Sequence, residues 1–188
     1  NKKSTEVKTF PVPFALEKIK DSITFKPNKP PNISKEEIID QAISFHSQGN
    51  ITKAAEYYQY CINKGFNDHI VFSNYGLILR DLGKLEEAAI SIRKAIDIKP
   101  DFFEAYSNLG TILKDIDNLK EAELILRKAI DIKPDAAEIH YNLGNLLGEL
   151  GNLKDSELSF LKAISLKPDF PDAQKNLRDL LLYLGKIN

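Results

Sequence analysis

Four asparagines, Asn74, Asn108, Asn142 and Asn176, recur at intervals of 34 residues, and Asp40 stands one interval before them. A side-chain amide offers one acceptor and two donors, so a row of amides can pair with the backbone of an extended peptide whatever its sequence. That is the chemistry of recognition rather than of bond breaking. The residue types that usually carry catalysis are scattered instead. His46, His69 and His140 show no metal-ligand spacing, and Cys61 is a lone thiol that reads as a small buried hydrophobe. "GNLLG" at 144–148 lacks the Lys-Ser/Thr of a phosphate loop and has no strand before it. The sequons at Asn32 and Asn50 are read as chance matches, since no apolar stretch near the N-terminus looks like a signal peptide. No catalytic residue, metal site or cofactor is read from the sequence, and the chain is not expected to be an enzyme.

Composition narrows the partners further. The 188 residues are 43% hydrophobic, enough for one globular domain or a short repeat array. A net charge of -1, from 26 basic and 27 acidic residues, argues against nucleic acid or an anionic membrane as the main partner. No apolar run approaches the roughly 20 residues that span a bilayer, and a cytoplasmic location is expected. The chain lacks Met altogether, the first position included, which reads as a protein processed or cut from something longer.

The elements that must position the asparagines repeat with them. "RKAIDIKPD" occurs at 93–101 and again at 127–135, and "LKAISLKPD" follows at 161–169. Placing Pro100, Pro134 and Pro168 at position 32 of a 34-residue unit divides the chain into 35–68, 69–102, 103–136 and 137–170. Position 8 then holds Ala42, Gly76, Gly110 and Gly144, position 20 holds Ala54, Ala88, Ala122 and Ser156, and position 27 holds Cys61, Ala95, Ala129 and Ala163. Larger apolar residues fall at position 11 (Phe45, Leu79, Leu113, Leu147) and position 24 (Tyr58, Ile92, Leu126, Phe160).

Each unit therefore contains two amphipathic helices, A then B, whose small residues permit close approach. Gly49, Gly83 and Gly151, with Asp117 in the third unit, occupy the place where a left-handed residue ends helix A. Ser34 with Glu37, Asp101 with Glu104 and Asp135 with Glu138 are expected to cap the A helices. Residues 171–184 read as a further A helix covering the end of the stack, and "YLGKIN" at the terminus reads as the start of another unit. Residues 1–34 differ in kind, with seven Lys against three acidic residues and five prolines. "FPVPF" at 10–14 favours polyproline II, residues 14–23 a short helix, and "KPNKPP" at 26–31 a linker. This arm either rests on the first repeat or fills a groove as a mock ligand.

The pattern resembles the tetratricopeptide repeat, with unit 103–136 closest to it through Tyr106, Leu109, Gly110, Ala122, Leu126, Ala129 and Pro134. Unit 35–68 departs most, with Gln41 at position 7 and Phe66 in place of Pro. The resemblance implies an all-α right-handed superhelical solenoid of antiparallel helix pairs, with A helices lining the concave side. The asparagine row is similar to that in the repeat arms of O-linked N-acetylglucosamine transferases, where such residues hold polypeptide substrate.

Position 6 lies roughly opposite the face formed by positions 4, 7, 8 and 11, since each residue advances about 100° around a helix. The asparagines are thus expected in a groove, with Arg80, Lys114, Tyr141 and Asn145 as neighbours. A competing reading is that the amides were copied by duplication or tie adjacent A helices together. The expected function is a scaffold that binds an extended peptide. Alternatives are the substrate-recruiting arm of a larger enzyme, for example a glycosyltransferase, or a module that self-associates through its array ends or N-terminal arm.

Overall fold

The structure, a computed structural model, describes residues 34–187. The readings made above for residues 1–33 lie outside them. The described residues fall into two compact units, divided between Asn67 and Asp68. The described part of the first is a helix pair, α1 (Lys35–Ser47) and α2 (Ile51–Asn63). The second holds α3 (His69–Asp81), α4 (Leu85–Ile98), α5 (Phe103–Asp115), α6 (Leu119–Ile132), α7 (Ala137–Glu149), α8 (Leu153–Leu166) and α9 (Pro171–Tyr183). Among the described residues all regular structure is helical, and in the second unit each helix packs on the next in chain order. The A helices α3 and α5, and α5 and α7, also touch. The architecture is an α solenoid of helix pairs.

The pairs form because small residues on helix A admit large ones from helix B. A Cβ added to Gly110 would sit 2.6 Å from Leu126 Cγ, one on Gly76 2.7 Å from Ile92 Cδ1, and one on Gly144 2.7 Å from Phe160 Cε1. Each glycine is the floor against which the position-24 side chain is seated. In the first unit Ala42 takes that place, and both it and Tyr58 are fully buried. Ala88, Ala95, Ala122 and Ala129 join Leu109, Leu113, Leu126 and Leu147 in one continuous core cluster. Burial of this kind is the main favourable term in such an array, at about 25 cal/mol per Å² of apolar surface.

Helix ends are made as the sequence predicts at one end and differently at the other. Gly49, Gly83, Gly151 and Asp117 all have φ between 62° and 76°. At Asp117 the backbone N–H donates to Lys114 O, and Asn118 N–H reaches back to Leu113 O, closing helix α5 with a left-handed residue. An L side chain in that conformation costs energy that glycine does not. Asp117→Gly is therefore expected to raise stability by up to about 1 kcal/mol, or roughly 2–4 °C in the melting temperature. A fall on thermal melting would mean the carboxylate supports the turn in a way the backbone does not reveal.

The N-caps correct the expectation for two helices. Ser34 and Glu37 form the reciprocal capping pair, but the N-cap residues of α5 and α7 are Phe102 and Ala136, without a side-chain cap bond. Asp101 and Asp135 each fall one residue too early. In the turn after the repeated proline, Phe102 N–H donates to Lys99 O and Ala136 N–H to Lys133 O, which delays the helix start by a residue. Asp135 instead pairs with Lys133 Nζ at 3.0 Å. Where Phe66 replaces that proline, Asp68 is itself the cap and accepts from Ile70 N–H and Val71 N–H.

Candidate functional site

The A helices of the second unit are linked along the array by a repeated offset of 35 residues. In the N-terminal half of each helix, Asn142 Nδ2 donates to Ser107 Oγ at 3.1 Å. Asn176 Nδ2 donates to Tyr141 Oη at 3.4 Å and, more closely, to Asn145 Oδ1 at 2.7 Å. In the C-terminal half, Arg80 Nε meets Asp115 Oδ2 at 2.6 Å and Lys114 Nζ meets Glu149 Oε1 at 2.8 Å. Position 5 of one helix thus faces position 6 of the next, and position 12 faces position 13.

This geometry changes the picture of the asparagine row. Asn74 is buried, at 6% exposure, and Asn108, Asn142 and Asn176 are half-buried rather than free on an outer face. Successive A helices are close enough that a short amide bridges them, so the role of tying helix to helix is filled at Asn142 and Asn176. Ser73 Oγ and Asn108 Nδ2 stand in the same 35-residue register, yet both atoms are buried without a hydrogen-bond partner among the described residues. Asp40 is exposed on α1, in the first unit. The Tyr141 ring lies 5.0 Å from that of Phe170 and 6.0 Å from that of Phe160, while its hydroxyl accepts from Asn176.

The remaining residues do converge. Arg80 from α3, Thr111 and Lys114 from α5, and Asn142 and Asn145 from α7 line one cavity of about 200 Å³, together with Asp115. A second, of about 650 Å³, lies between α7, α8 and α9 and includes Asn145, Asn176, Asp179 and Tyr183. Asn145 borders both. The lining of the first mixes amides, a hydroxyl and an ion pair, which suits a backbone-like polar ligand, whereas the second is walled largely by apolar side chains, Leu153, Phe160 and Leu180 among them. The carboxylates of Asp115 and Glu149 were missed in the sequence, although a cation at position 12 followed 35 residues later by an acid was the signal for them. Asp81, at the same position 13 of α3, has its carboxyl raised above the ordinary range by burial, only partly offset by the charge of Arg80.

The histidines have structural surroundings. The His140 ring nitrogen Nε2 lies 2.9 Å from Pro134 O, the His69 ring stacks edge-on against Phe102, and His46 is held below its usual pKa by burial. Among the described residues no group of His, Cys, Asp and Glu is arranged to hold a metal ion, and no helix is long and apolar enough to cross a membrane.

Comparison with known proteins agrees with the architecture. The family described as "TPR repeat" matches residues 76–117 and 118–151, and "Tetratricopeptide repeat" matches 137–170. No curated protein matches the chain. Among solved structures, MamA (residues 41 to the end) from Desulfovibrio magneticus RS-1 is similar, with a TM-score of 0.70 and 20% identity over 80% of this chain and 85% of its own. YrrB, described as a TPR protein with an unusual peptide-binding site, has a TM-score of 0.69 and 19% identity over 77% of this chain and 75% of its own. The first TPR of Spaghetti (RPAP3), bound to an HSP90 peptide, has a TM-score of 0.60 and 19% identity over 63% of this chain and 94% of its own. At these identities the likeness is one of fold. The family matches run without a gap from 76 to 170, slightly more than half of the chain, and the chain belongs to the tetratricopeptide-repeat family.

Proposed function

We propose that this protein is an interaction scaffold that binds an extended segment of a partner protein along its A helices, and that it acts by binding rather than by catalysis. The observation that carries this reading is the cavity where Arg80, Thr111, Lys114, Asn142 and Asn145 meet from three successive A helices. Such a lining offers donors and acceptors at short intervals along the array, which is what an extended backbone requires. The internal ion pairs Arg80–Asp115 and Lys114–Glu149 leave the cavity near neutral, so the ligand need not be highly charged. YrrB and the Spaghetti repeat, which share the fold, are described with a peptide-binding site and a bound peptide.

The test is a selection of peptides from a random library against the whole chain, followed by NMR titration. Saturable shifts of the Asn142 and Asn145 side-chain amides are expected. Shifts confined to the outer faces of α4, α6 and α8 would sink the reading. Lys114→Glu sets a new carboxylate in the cavity wall beside Asp115 and opposite its former partner Glu149. It is expected to weaken a selected peptide by roughly 5- to 20-fold through like-charge repulsion and loss of a donor.

A further inference from the structure

On the outward faces of α4, α6 and α8 stand Ile90, Leu124 and Leu158, each 34 residues after the last, with 69%, 68% and 56% of their surface exposed. A single exposed leucine is ordinary, but the same position exposed on three successive B helices is a row. The core does not require it. Two residues on, Ile92, Leu126 and Phe160 fill the seats against the glycines, and in α2 the corresponding place is held by Glu56. The fold therefore accepts a carboxylate where these three side chains are apolar.

A second row runs beside the first. Lys94, Lys128 and Lys162 lie one turn further along the same faces, where residues four apart are neighbours. All three are exposed, and none forms an ion pair among the described residues. The arginines next to two of them are occupied: Arg93 with Glu121 at 2.7 Å, across from α4 to α6, and Arg127 with Glu123 at 2.7 Å. The row thus presents three apolar side chains flanked by three uncommitted cations.

We propose that this face is a docking site for an acidic amphipathic helix of a partner protein, its apolar stripe on Ile90, Leu124 and Leu158 and its carboxylates on Lys94, Lys128 and Lys162. Charge selects that occupant. The chain's own segment 1–33, with seven Lys against three acidic residues, would set like charges against the lysines. A second copy laid on the same face brings the same lysine row. An anionic bilayer would cover Asp97 and Asp131, one turn beyond Lys94 and Lys128, along with the lysines. A helix touches only the line it follows, and its narrow apolar stripe matches a row one residue wide.

The experiment uses two synthetic helical peptides, one with a leucine stripe flanked by glutamates and one flanked by lysines, titrated into the full chain by fluorescence anisotropy. The glutamate peptide is expected to bind saturably and to weaken with salt. Ile90→Glu with Leu124→Glu and Leu158→Glu should weaken it at least about tenfold, since burial of one leucine side chain is already worth that much. Leu124→Gln alone gives the same direction without added charge, should the triple change lower stability. Lys94→Glu with Lys128→Glu and Lys162→Glu should lose the glutamate peptide and gain the lysine one, while Asn142→Ala should leave binding unchanged. Several results would overturn the proposal. These are no saturable binding of the glutamate peptide up to about 1 mM, equal binding by the row variants, loss of binding in Asn142→Ala, a dimer in sedimentation that Leu124→Gln dissociates, or binding of anionic vesicles in place of the peptide.

Discussion

Ala129→Leu is expected to melt about 2–12 °C below the parent chain, the span that follows from about 1–3 kcal/mol of overpacking at about 2–4 °C per kcal/mol. Ala129 has no exposed surface and lies in α6, within the cluster that holds Leu109, Leu113 and Leu126. Its helix packs on α5 and on α7, so the added carbons meet neighbours on two sides rather than one. The nearby seat is already tight, because the Leu126 side chain occupies the space that a Cβ on Gly110 would need. Relief would require α6 to move away from α5, which opens the contact that the glycine exists to permit. Half-buried Ile130 is the control, since Ile130→Leu keeps volume and should shift melting much less. An unchanged melting temperature for Ala129→Leu would show that position 27 has room, and the packing argument for small residues there would fall.

The fold was legible in the sequence because its determinants are local and repeated. Glycine or alanine at position 8 and a large apolar residue at position 24 state the helix-to-helix contact directly, and Gly110 against Leu126 is that statement in space. The left-handed Asp117 was legible for a similar reason, since three of four units place glycine there. The caps were not. Every A helix of the second unit starts from position 34, occupied by Asp68, Phe102, Ala136 and Phe170, and the aspartates after the proline sit one residue before it. A hydrogen-bonded turn decides that residue, and helical periodicity carries no information about it.

The candidate site was legible only in part, and for a different reason. That Asn142, Asn145, Arg80 and Lys114 share a side of the A helices follows from about 3.6 residues per turn. What each touches depends on how one repeat is rotated against the next, and that rotation is set by packing between units. The bonds Asn142–Ser107 and Lys114–Glu149 both connect residues 35 apart, one more than the repeat length, and no single-helix argument yields that offset. The ring packing of Tyr141 was not legible for the same reason, because Phe170 belongs to the following turn and only the stacked arrangement brings the rings together. Glu121 likewise accepts from both Arg93 and Asn118, a convergence that needs α4 and α6 side by side.

The asparagine row is expected to separate into a strut and a buried donor without a partner. Asn142→Ala loses a 3.1 Å bond to Ser107 Oγ, which should cost about 0.5–1.5 kcal/mol of stability. Asn108→Ala removes a buried Nδ2 that bonds nothing among the described residues, and alanine is the better helix former, so its melting temperature should hold or rise. Binding offers the other axis. On the groove reading, an extended peptide lying across α5 and α7 uses both amides. The double variant should then bind a selected peptide roughly 5-fold to 100-fold more weakly, if each lost bond contributes about 0.5–1.5 kcal/mol. Lys120→Ala is the control, because Lys120 is exposed at the start of α6. Glu121 would be a poor one, since its carboxylate holds α4 to α6 through Arg93. Calorimetric titration and thermal melting on the parent and these four variants separate the two roles. Weakened binding in Asn108→Ala with an unchanged melting temperature is the outcome that a strut alone cannot produce. If instead Asn142→Ala melts earlier and every variant binds as tightly as the parent, the amides hold helix to helix and the ligand is bound elsewhere on the array.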